Sequence, residues 1–223
     1  MTGASRGVGR AVAEAFAAEG ARLVVTATRR EHLDAVIRKV GQAGGGAHGL
    51  ALDLGDTAAV RAAAAEALAV LGRVDVLVNN AGLLGERRPL AEYPLDLWER
   101  VMAVNVTGTL ALIQSVLPGM SHGAAIVNVT SGAAGRPSWG AYAVSKLALD
   151  GITGMLRQEL ADRAIRCVGV NPGPARTAMR ASAHPEEDPA TVPHPSGLVE
   201  PFIAIAAGAD PGPHVEAAQW TGR

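Results

Sequence analysis

Short apolar runs alternate with longer helical patterns along most of the chain, and this alternation is the feature that most restricts its fold. The apolar runs predict strands at residues 22–27, 48–54, 74–78, 124–129 and 165–170. The run 74–78 is apolar enough to be buried on both faces, as strands of a parallel sheet covered by helices are. The pattern therefore indicates an α/β fold, in which ligands bind at the carboxyl ends of the strands.

The size of the chain fits one domain better than two. Its 223 residues are 48% hydrophobic, enough to bury a sizeable core. Within a single domain over residues 1–223, we expect 174–198 to form a lid over a substrate pocket, with a disordered excursion as the alternative, because this loop is too long for an ordinary connection. Residues 209–223 are expected to form an irregular tail without a clear strand.

A glycine-rich stretch stands at the start of the sequence and opens a helix predicted to end at Gly20. Its spacing is G-x-x-x-G-x-G, with glycines at 3, 7 and 9. Such glycines let backbone amides approach a pyrophosphate, and the helix N-terminus favours its negative charge. The alternative is a plain turn. The candidate phosphate-binding residues are Gly3, Ser5, Arg6, Gly7, Val8 and Gly9.

A phosphate loop of this kind normally follows a buried strand, which would be central in the sheet. In this sequence only Met1 and Thr2 stand before the first glycine. Two explanations are open: either the sequence begins late, or the sheet closes up without this strand.

The end of the run 22–27 bears on the identity of a bound dinucleotide. Thr28 stands where an acid would bind a ribose 2′-hydroxyl, and Arg29 follows it. Because an arginine at this place receives a 2′-phosphate, Arg29 together with Arg6 favours NADP(H) over NAD(H). The alternative is that both arginines are simply solvated. Asp53, with Leu54, ends the next strand, where it would meet an adenine amino group or serve only as a helix cap or turn residue.

Tyr142 and Lys146 form a candidate acid/base pair. In a helix, residues four apart are neighbours, and a unit charge about 5 Å away in a partly buried cleft is worth about 3 kcal/mol. Lowering a phenol pKa from about 10 to 7 requires about 4 kcal/mol, so the pair predicts a pocket. A packing tyrosine beside a surface lysine is the alternative. Chemistry is favoured because Lys39 and Lys146 are the only lysines among 20 basic residues, and arginine cannot replace an ammonium as a compact point charge.

Further polar or small residues follow the predicted strands. Asn80, Ala81 and Gly82 follow the run 74–78 and suit close contact with a ribose, and Ser131 follows the run 124–129. Asn105 lies inside an apolar helix predicted at 95–117, so its amide requires a partner. The last strand is followed by Pro172 and Gly173.

Together these motifs resemble the short-chain dehydrogenase/reductase (SDR) family of bacteria over about residues 1–182. The resemblance implies a three-layer, Rossmann-type doubly wound parallel sheet and hydride transfer between NADP(H) and a carbonyl compound or alcohol. It implies that Tyr142 is the proton donor or acceptor and that Lys146 lowers its pKa and holds the nicotinamide ribose. It further implies that Ser131 hydrogen-bonds the substrate oxygen and that Asn105 anchors a water. The implied cofactor-binding set is Gly3, Ser5, Arg6, Gly7, Val8, Gly9, Thr28, Arg29, Asp53, Leu54, Asn80, Ala81, Gly82, Tyr142, Lys146, Pro172, Gly173 and Thr177.

The sequence departs from the family in three places. The first strand is absent, and the C-terminal end lacks the closing strand. Ser131 lies 11 residues before Tyr142, fewer than is usual in the family, so the loop between them must be tighter. The resemblance also implies a homodimer or homotetramer in which the helices of Asn105 and Tyr142 pair between subunits.

Charge and composition exclude several other partners. The formal net charge is −1, so no basic field for nucleic acid is present. We expect a small-molecule carbonyl or alcohol substrate, no membrane partner because no apolar run reaches about 18 residues, and no metal because the histidines and carboxylates lack ligand spacing. One cysteine, Cys167, suits a reducing compartment, and the expected location is the cytoplasm. The alternative function is a catalytically degenerate dinucleotide-binding protein.

Overall fold

The computed structural model describes residues 1–222, so that Arg223, the last residue of the predicted tail, lies outside the described residues. The strands are β1 (Arg22–Ala27), β2 (Gly46–Ala51), β3 (Val74–Asn79), β4 (Met120–Val129), β5 (Arg166–Asn171) and β6 (His214–Glu216). The α-helices are α1 (Gly7–Ala18), α2 (Asp34–Gln42), α3 (Thr57–Leu71), α4 (Leu95–Met102), α5 (Thr109–Val116), α6 (Gly140–Glu159), α7 (Ala178–Ala183) and α8 (Glu200–Ala206).

All strand pairs are parallel, and they form two groups. One group contains β1 and β2, and the other has the order β3-β4-β5-β6. Helices connect the strands and cover both faces, which confirms the three-layer Rossmann-type arrangement expected from the sequence.

Two apolar clusters fill the space between the sheet and its helices. One packs Val12, Phe16 and Phe202 of α1 and α8 against alternate strand residues such as Val25 and Val127. The other packs α3 and α5 against the opposite face, where Val24, Leu77 and Ile126 point. Since neighbouring strand residues point to opposite faces, both faces of the strands are buried.

Residues 1–4 lie between β1 and β3 and hydrogen-bond to both. The Met1 carbonyl accepts from Thr26 N at 3.0 Å, and Thr2 N donates to the Val78 carbonyl at 3.0 Å. Beyond Met1, toward the amino ends of the strands, the two strands stay apart around an apolar cavity of about 470 Å³ that we call the β1–β3 slot. The expectation that the sheet closes up without a central strand is therefore wrong, because β1 and β3 belong to separate sheets.

The C-terminal segment contains a strand that the sequence did not predict. β6 pairs in parallel with β5, with Val170 opposite Val215 and Asn171 opposite Glu216. The expectation of an irregular tail without a strand is wrong at these residues. The tail contains two prolines and two glycines, which indicate turns, and a strand of three residues is too short to show an alternating pattern.

The helix predicted at 95–117 is interrupted. Between α4 and α5 the chain forms a π-helical segment, Ala103–Gly108, which contains Asn105. By length and composition the helical run Leu95–Gly119 could cross a membrane, since an 18-residue window within it has a mean hydropathy of 1.5. The core helix of a soluble protein passes the same test, and within this fold its side chains Leu112, Ile113 and Val116 are buried in the second cluster.

Candidate active site

Tyr142 and Lys146 lie one turn apart on α6 and are both buried. The Lys146 Nζ atom is 5.7 Å from the centroid of the Tyr142 ring and donates a hydrogen bond of 2.6 Å to the Val129 carbonyl at the end of β4. An ideal Cβ built on Gly82 would lie 3.7 Å from this Nζ, so the lysine reaches the residues that follow β3. The pair thus occupies the carboxyl end of the sheet.

The pKa values of the pair differ from the sequence expectation. Burial lowers the pKa of Lys146 to about 8, and the charge of Asp150 opposes that change. Burial also raises the pKa of Tyr142 above its ordinary value, and the hydroxyl of Ser131 partly counteracts this by hydrogen bonding. In the protein alone, therefore, desolvation of the phenol outweighs any lowering of its pKa by Lys146.

Ser131 follows β4 and lies next to the phenol, despite the short loop that joins them. The Ser131 hydroxyl accepts a hydrogen bond from Ala133 N at 3.1 Å, which fixes its rotamer. The loop is compact because it passes through left-handed backbone at Gly135 (φ +69°) and Ser138 (φ +60°). Ser138 is unusual there, since residues with a Cβ rarely adopt this conformation.

The Asn105 side chain links the π-helical segment to the residues after β3 and to α6 by hydrogen bonds. Its amide Nδ2 donates to the Leu83 carbonyl and to Ser145 Oγ, both at 2.9 Å, and its Oδ1 accepts from Leu83 N at 2.7 Å. Both amide hydrogens are therefore used within the protein. This answers the sequence-based requirement for a partner and gives the side chain a positioning role; the water-anchoring role implied by the family resemblance stays a prediction.

The glycine loop, residues 3–9, is held against the end of β3 by Asn80. The Asn80 Nδ2 atom donates to the carbonyls of Thr2 and Gly3, each at 3.0 Å. The hydroxyl of Thr2 accepts from the backbone N–H groups of Asn80 and Ala81. A Cβ at Gly9 would collide with Asn80 Nδ2 and the Gly3 carbonyl, so only glycine allows this close approach. Asn80 thus supports the loop itself.

The first turn of α1 is open to an anion. Its N-cap residue, Arg6, makes no side-chain cap, and both Arg6 and Val8 border the loop. The side chains of Arg6 and of Arg29, which follows β1, are exposed and form no ion pair within residues 1–222. The neighbouring Arg30, in contrast, pairs with Asp34 at 2.9 Å. Backbone amides and two unpaired guanidinium groups are the chemistry that binds phosphates.

Asp53 and Leu54 follow β2, and they differ in their contacts: Asp53 makes a turn hydrogen bond, whereas Leu54 packs into the core. Asp53 Oδ1 accepts a hydrogen bond from Gly55 N at 2.8 Å, which is the turn role considered above. The Leu54 side chain is buried in the second apolar cluster, and its carbonyl packs against Gly108. Thr28, before Arg29, is exposed. An adenine contact by Asp53 remains a prediction.

The segment after β5 reaches the glycine loop. Asn171 Oδ1 accepts from Gly173 N at 3.0 Å, which fixes the turn at Pro172 and Gly173. Thr177 caps α7 through a 3.1 Å hydrogen bond from Arg180 N, and a Cβ at Gly7 would lie 3.1 Å from its methyl group. Thr177 and the glycine loop are therefore neighbours.

Three residues beside the phenol were not recognised as site residues from the sequence. The Trp139 ring lies 6.2 Å from the Tyr142 ring and 5.6 Å from the His184 ring, and the Arg87 guanidinium stacks on it at 4.6 Å. Arg87 also donates to the Ala183 carbonyl at 2.6 Å. Only Trp139, three residues before Tyr142, gave a sequence signal that could have been used. Arg87 and His184 lie far apart in the chain, and the fold alone brings them together.

The structure brings part of the predicted set together around the carboxyl ends of β3 and β4. Asn105, Gly82 and Lys146 are adjacent, with Tyr142 and Ser131 beside them, and the glycine loop joins this group through Asn80. Thr28 and Arg29 follow β1, and Asp53 follows β2 at the same edge of the sheet. Over residues 1–222, no group of three or more His, Cys, Asp or Glu side chains is arranged to hold a metal ion. Backbone amides at a helix N-terminus, guanidinium groups and a phenol are groups of the kinds that bind phosphates and exchange protons.

Comparison with known proteins gives consistent matches over nearly the whole chain. The short chain dehydrogenase family model matches residues 1–188. The uncharacterized oxidoreductase YciK of Escherichia coli K12 is 37% identical over 210 residues, which cover 91% of this chain and 83% of the relative.

Two solved structures of short chain dehydrogenases are also similar. A structure from Shigella flexneri 2a in complex with NADP is 32% identical with a TM-score of 0.91, covering 97% of this chain and 95% of that one. A structure from Escherichia coli CFT073 in complex with NADPH is 34% identical with a TM-score of 0.90, covering 97% of this chain and 94% of that one.

Proposed function

The chain belongs to the short-chain dehydrogenase family, and from this we propose that it is an NADP(H)-dependent oxidoreductase that interconverts a carbonyl compound and the corresponding secondary alcohol. One observation carries the proposal: the buried Tyr142 phenol has Ser131 beside it and the Lys146 ammonium one helical turn away. The test is oxidation of NADPH by purified protein in the presence of a panel of activated ketones, followed at the nicotinamide absorption band.

Tyr142 gives its proton to the substrate oxygen during reduction and takes one back during oxidation. Ser131 donates a hydrogen bond to the same oxygen and so orients the carbonyl. Lys146, held by the Val129 carbonyl, places a positive charge near the phenolate that forms. When bound, NADP(H) supplies the hydride and, in its oxidised form, a second positive charge. That second charge matters because Lys146 alone does not offset the burial of the phenol.

The residues present fit a dinucleotide phosphate. The glycine loop approaches the end of β3 so closely that a side chain at Gly9 would collide, and the N-cap residue Arg6 makes no side-chain hydrogen bond to the amides of the first turn of α1. In our proposal Gly3, Ser5, Arg6, Gly7, Val8 and Gly9 bind the pyrophosphate, and Arg6 and Arg29 bind the 2′-phosphate. Gly82, Lys146 and Tyr142 hold the nicotinamide ribose. Pro172, Gly173 and Thr177 close over the nicotinamide end.

The preference for NADPH can be tested at Arg29. We expect Arg29→Ala to weaken NADPH binding about tenfold or more, because a charge-assisted hydrogen bond to the 2′-phosphate is lost, while binding of NADH is unchanged. The matched control is Arg30→Ala, which removes a neighbouring arginine already paired with Asp34. Dissociation constants from titration of cofactor fluorescence decide the result. Equal losses for NADPH and NADH, or no loss, would contradict the assignment.

The substrate enters, in this proposal, through a cavity of about 520 Å³ beside Trp139. Residues Leu84, Gly85, Glu86, Arg87, Arg88, Ser182, Ala183 and Pro185 line it. The lid segment, residues 174–198, forms one wall, and Arg180 and Glu187 brace it through two hydrogen bonds of 2.7 and 2.6 Å. These contacts support the lid interpretation over a disordered excursion.

We further propose that the protein forms a dimer or tetramer through α4 and α6. Leu147 and Met155, two turns apart on α6, are 56% and 62% exposed, and Leu95 at the start of α4 is also exposed. Apolar residues aligned along one exposed helix are typical of an interface.

A double substitution tests this interface. We expect Leu147→Glu with Met155→Glu to reduce the molar mass in light scattering to that of one chain, because two carboxylates would face each other across the symmetry axis. Val70→Glu, which places a charge on the exposed side of α3, is the control and leaves the mass unchanged. A monomeric parent protein would refute the proposal directly.

The remaining expectations follow from the family. The substrate is a small molecule, and the cytoplasm is the proposed location. A catalytically degenerate protein that binds the dinucleotide without turnover is disfavoured, because the groups needed for proton transfer are present and adjacent in the site. Binding of NADPH with no turnover on any carbonyl substrate would restore that alternative.

A further inference from the structure

The cavity beside Trp139 has a net positive charge on its wall. Among the residues that line it, Glu86, Arg87 and Arg88 are charged. Arg88 lies 3.8 Å from Glu86, so these two charges largely cancel. Arg87 forms no ion pair within the part of the chain that the structure describes, residues 1–222. The cavity therefore presents one guanidinium group to a ligand.

Contacts on two sides hold the Arg87 side chain in place. Its guanidinium stacks on the Trp139 ring at 4.6 Å, and Nη1 donates a hydrogen bond of 2.6 Å to the Ala183 carbonyl. The loop that carries it is also fixed, because Glu86 N donates to the Tyr93 hydroxyl at 3.2 Å. A guanidinium has several N–H donors, so donors remain for a ligand. Because the group is already ordered, binding costs little side-chain entropy.

Next to Arg87, the lid segment contributes an ion pair and a histidine. Glu187 accepts two hydrogen bonds from Arg180, of 2.7 and 2.6 Å, and is therefore engaged. The His184 ring lies 5.6 Å from the Trp139 ring. Burial lowers the pKa of His184, and the charges of Arg180 and Arg87 lower it further, while Glu187 acts in the opposite direction. The lowered pKa favours the neutral imidazole, so the net charge beside Trp139 is that of Arg87.

The cation lies close to the reacting group. The Trp139 ring is 6.2 Å from the Tyr142 ring, and it is also the ring on which Arg87 stacks. One small molecule can therefore contact the phenol and the guanidinium at the same time. Leu84 and Pro185 line the cavity beside Arg87, and their side chains suit a hydrocarbon stretch between two polar ends.

We infer that the substrate is an oxo acid, a ketone whose carboxylate binds the Arg87 guanidinium while its carbonyl oxygen faces Tyr142. The inference rests on the proposed reductase function and names its substrate class. During reduction the ketone carbon accepts the hydride that NADPH supplies, and the ketone oxygen accepts the Tyr142 proton. The products are a hydroxy acid and NADP⁺, and the carboxylate is unchanged. A planar guanidinium matches a carboxylate with two parallel hydrogen bonds. Its single positive charge balances a carboxylate, whereas a phosphate monoester carries nearly two negative charges.

The experiment compares the parent protein with Arg87→Gln and with a matched control. The probes are methyl-ketone acids from 4-oxopentanoate to 7-oxooctanoate and their methyl esters, and the readout is oxidation of NADPH. For the best acid, we expect Arg87→Gln to raise KM about 30-fold, because a hydrogen-bonded charge pair is lost. The kcat should change little, since the carboxylate makes the same contact in the substrate complex and in the transition state. The kinetics with the esters should be unchanged.

The control is Arg136→Gln, which removes the same charge from the loop before Trp139, at a residue that does not line the cavity. It should leave the kinetics with acids and esters unchanged. A second measurement does not use turnover: the NADPH-bound protein is titrated with hexanoate and with hexan-1-ol, and binding is followed by ligand-observed NMR. Arg87→Gln should weaken hexanoate binding about tenfold or more and leave hexanol binding unchanged.

The outcomes separate the inference from the proposed reaction. Equal losses for acids and esters in Arg87→Gln would overturn the inference, because they would show that Arg87 only braces the lid segment through Ala183. Arg87-dependent binding of hexyl phosphate that is tighter than binding of hexanoate would also overturn it, in favour of a phosphate monoester. If esters are reduced as well as acids, the reaction stands and the inference fails. If no ketone is reduced but hexanoate binding depends on Arg87, the reaction fails and the carboxylate-binding role of Arg87 stands.

Discussion

Tyr142→Phe is expected to lower kcat about 1,000-fold with any carbonyl substrate that the protein reduces, because general acid catalysis contributes about 10²–10⁴-fold. The substitution removes only the phenolic oxygen. The aromatic ring keeps its contact with Trp139, and the helix keeps the Ser145 hydrogen bond to the Tyr142 carbonyl. NADPH affinity should fall far less than kcat, since the substitution removes one proposed ribose contact and leaves the phosphate-binding groups in place.

The chain offers a matched control in Tyr93, its only other tyrosine. Tyr93 is also buried, and its hydroxyl accepts a hydrogen bond from Glu86 N at 3.2 Å. Tyr93→Phe should therefore cost a hydrogen bond, worth about 1 kcal/mol of stability, and leave kcat within a small factor of the parent. Initial rates of the parent, Tyr142→Phe and Tyr93→Phe proteins at saturating NADPH test this prediction. Equal rates for Tyr142→Phe and the parent would remove the phenol from the mechanism.

Lys146→Met is expected to lower kcat about 100-fold and to weaken binding of the nicotinamide ribose, which would appear as a higher KM for NADPH. Methionine fills nearly the same volume but carries no charge near the phenol. The control is Lys39→Met: Lys39 is the other lysine of the chain, and it is exposed on α2. Unchanged kinetics in Lys146→Met would show that the ammonium serves only the fold.

Comparison of the parent protein with Lys146→Met also tests a predicted pH dependence of the free energy of unfolding. The pKa of Lys146 is about 8 in the folded protein against 10.5 for the ordinary side chain. Between these values the unfolded chain binds the proton and the folded protein does not, so the free energy of unfolding rises with pH. The rise is about 3 kcal/mol for a lysine this buried. The curve of the parent minus that of Lys146→Met should show it between pH 8 and 10.5, because ionisation of groups that do not interact with Lys146 affects both proteins alike. A flat difference would contradict the lowered pKa.

Much of the fold was predictable because strand and helix signals in this chain are local. The run 22–27 ends where β1 ends, and Asp56 caps α3 through hydrogen bonds from Ala58 N and Ala59 N. β6 was missed because three residues carry no pattern, and pairing with β5 alone makes them a strand. The π-helical segment around Asn105 was missed because the hydrogen bonds of Asn105 to Leu83 and Ser145 are tertiary contacts, which leave no local pattern in the sequence.

The sequence predicted the positions of the candidate site residues better than it predicted their surroundings. The spacing of Tyr142 and Lys146 placed both on one helix, but their desolvation depends on burial, and this reversed the expected direction of the phenol pKa. Asn80 was expected to face a ribose, whereas its amide hydrogens go to Thr2 and Gly3. Trp139, Arg87 and His184 meet only in three dimensions.

The tripeptide Asn80-Ala81-Gly82 has a consequence for how the protein can vary. At one end Asn80 fixes the glycine loop, and at the other Gly82 lies against Lys146 and Asn105. In the proposed binding mode, a displacement of this tripeptide would shift the groups at both ends of the dinucleotide at once. The proposal therefore couples phosphate binding to the alignment of the reacting atoms, and it leaves more freedom for new substrates in the distant loops than in these three residues.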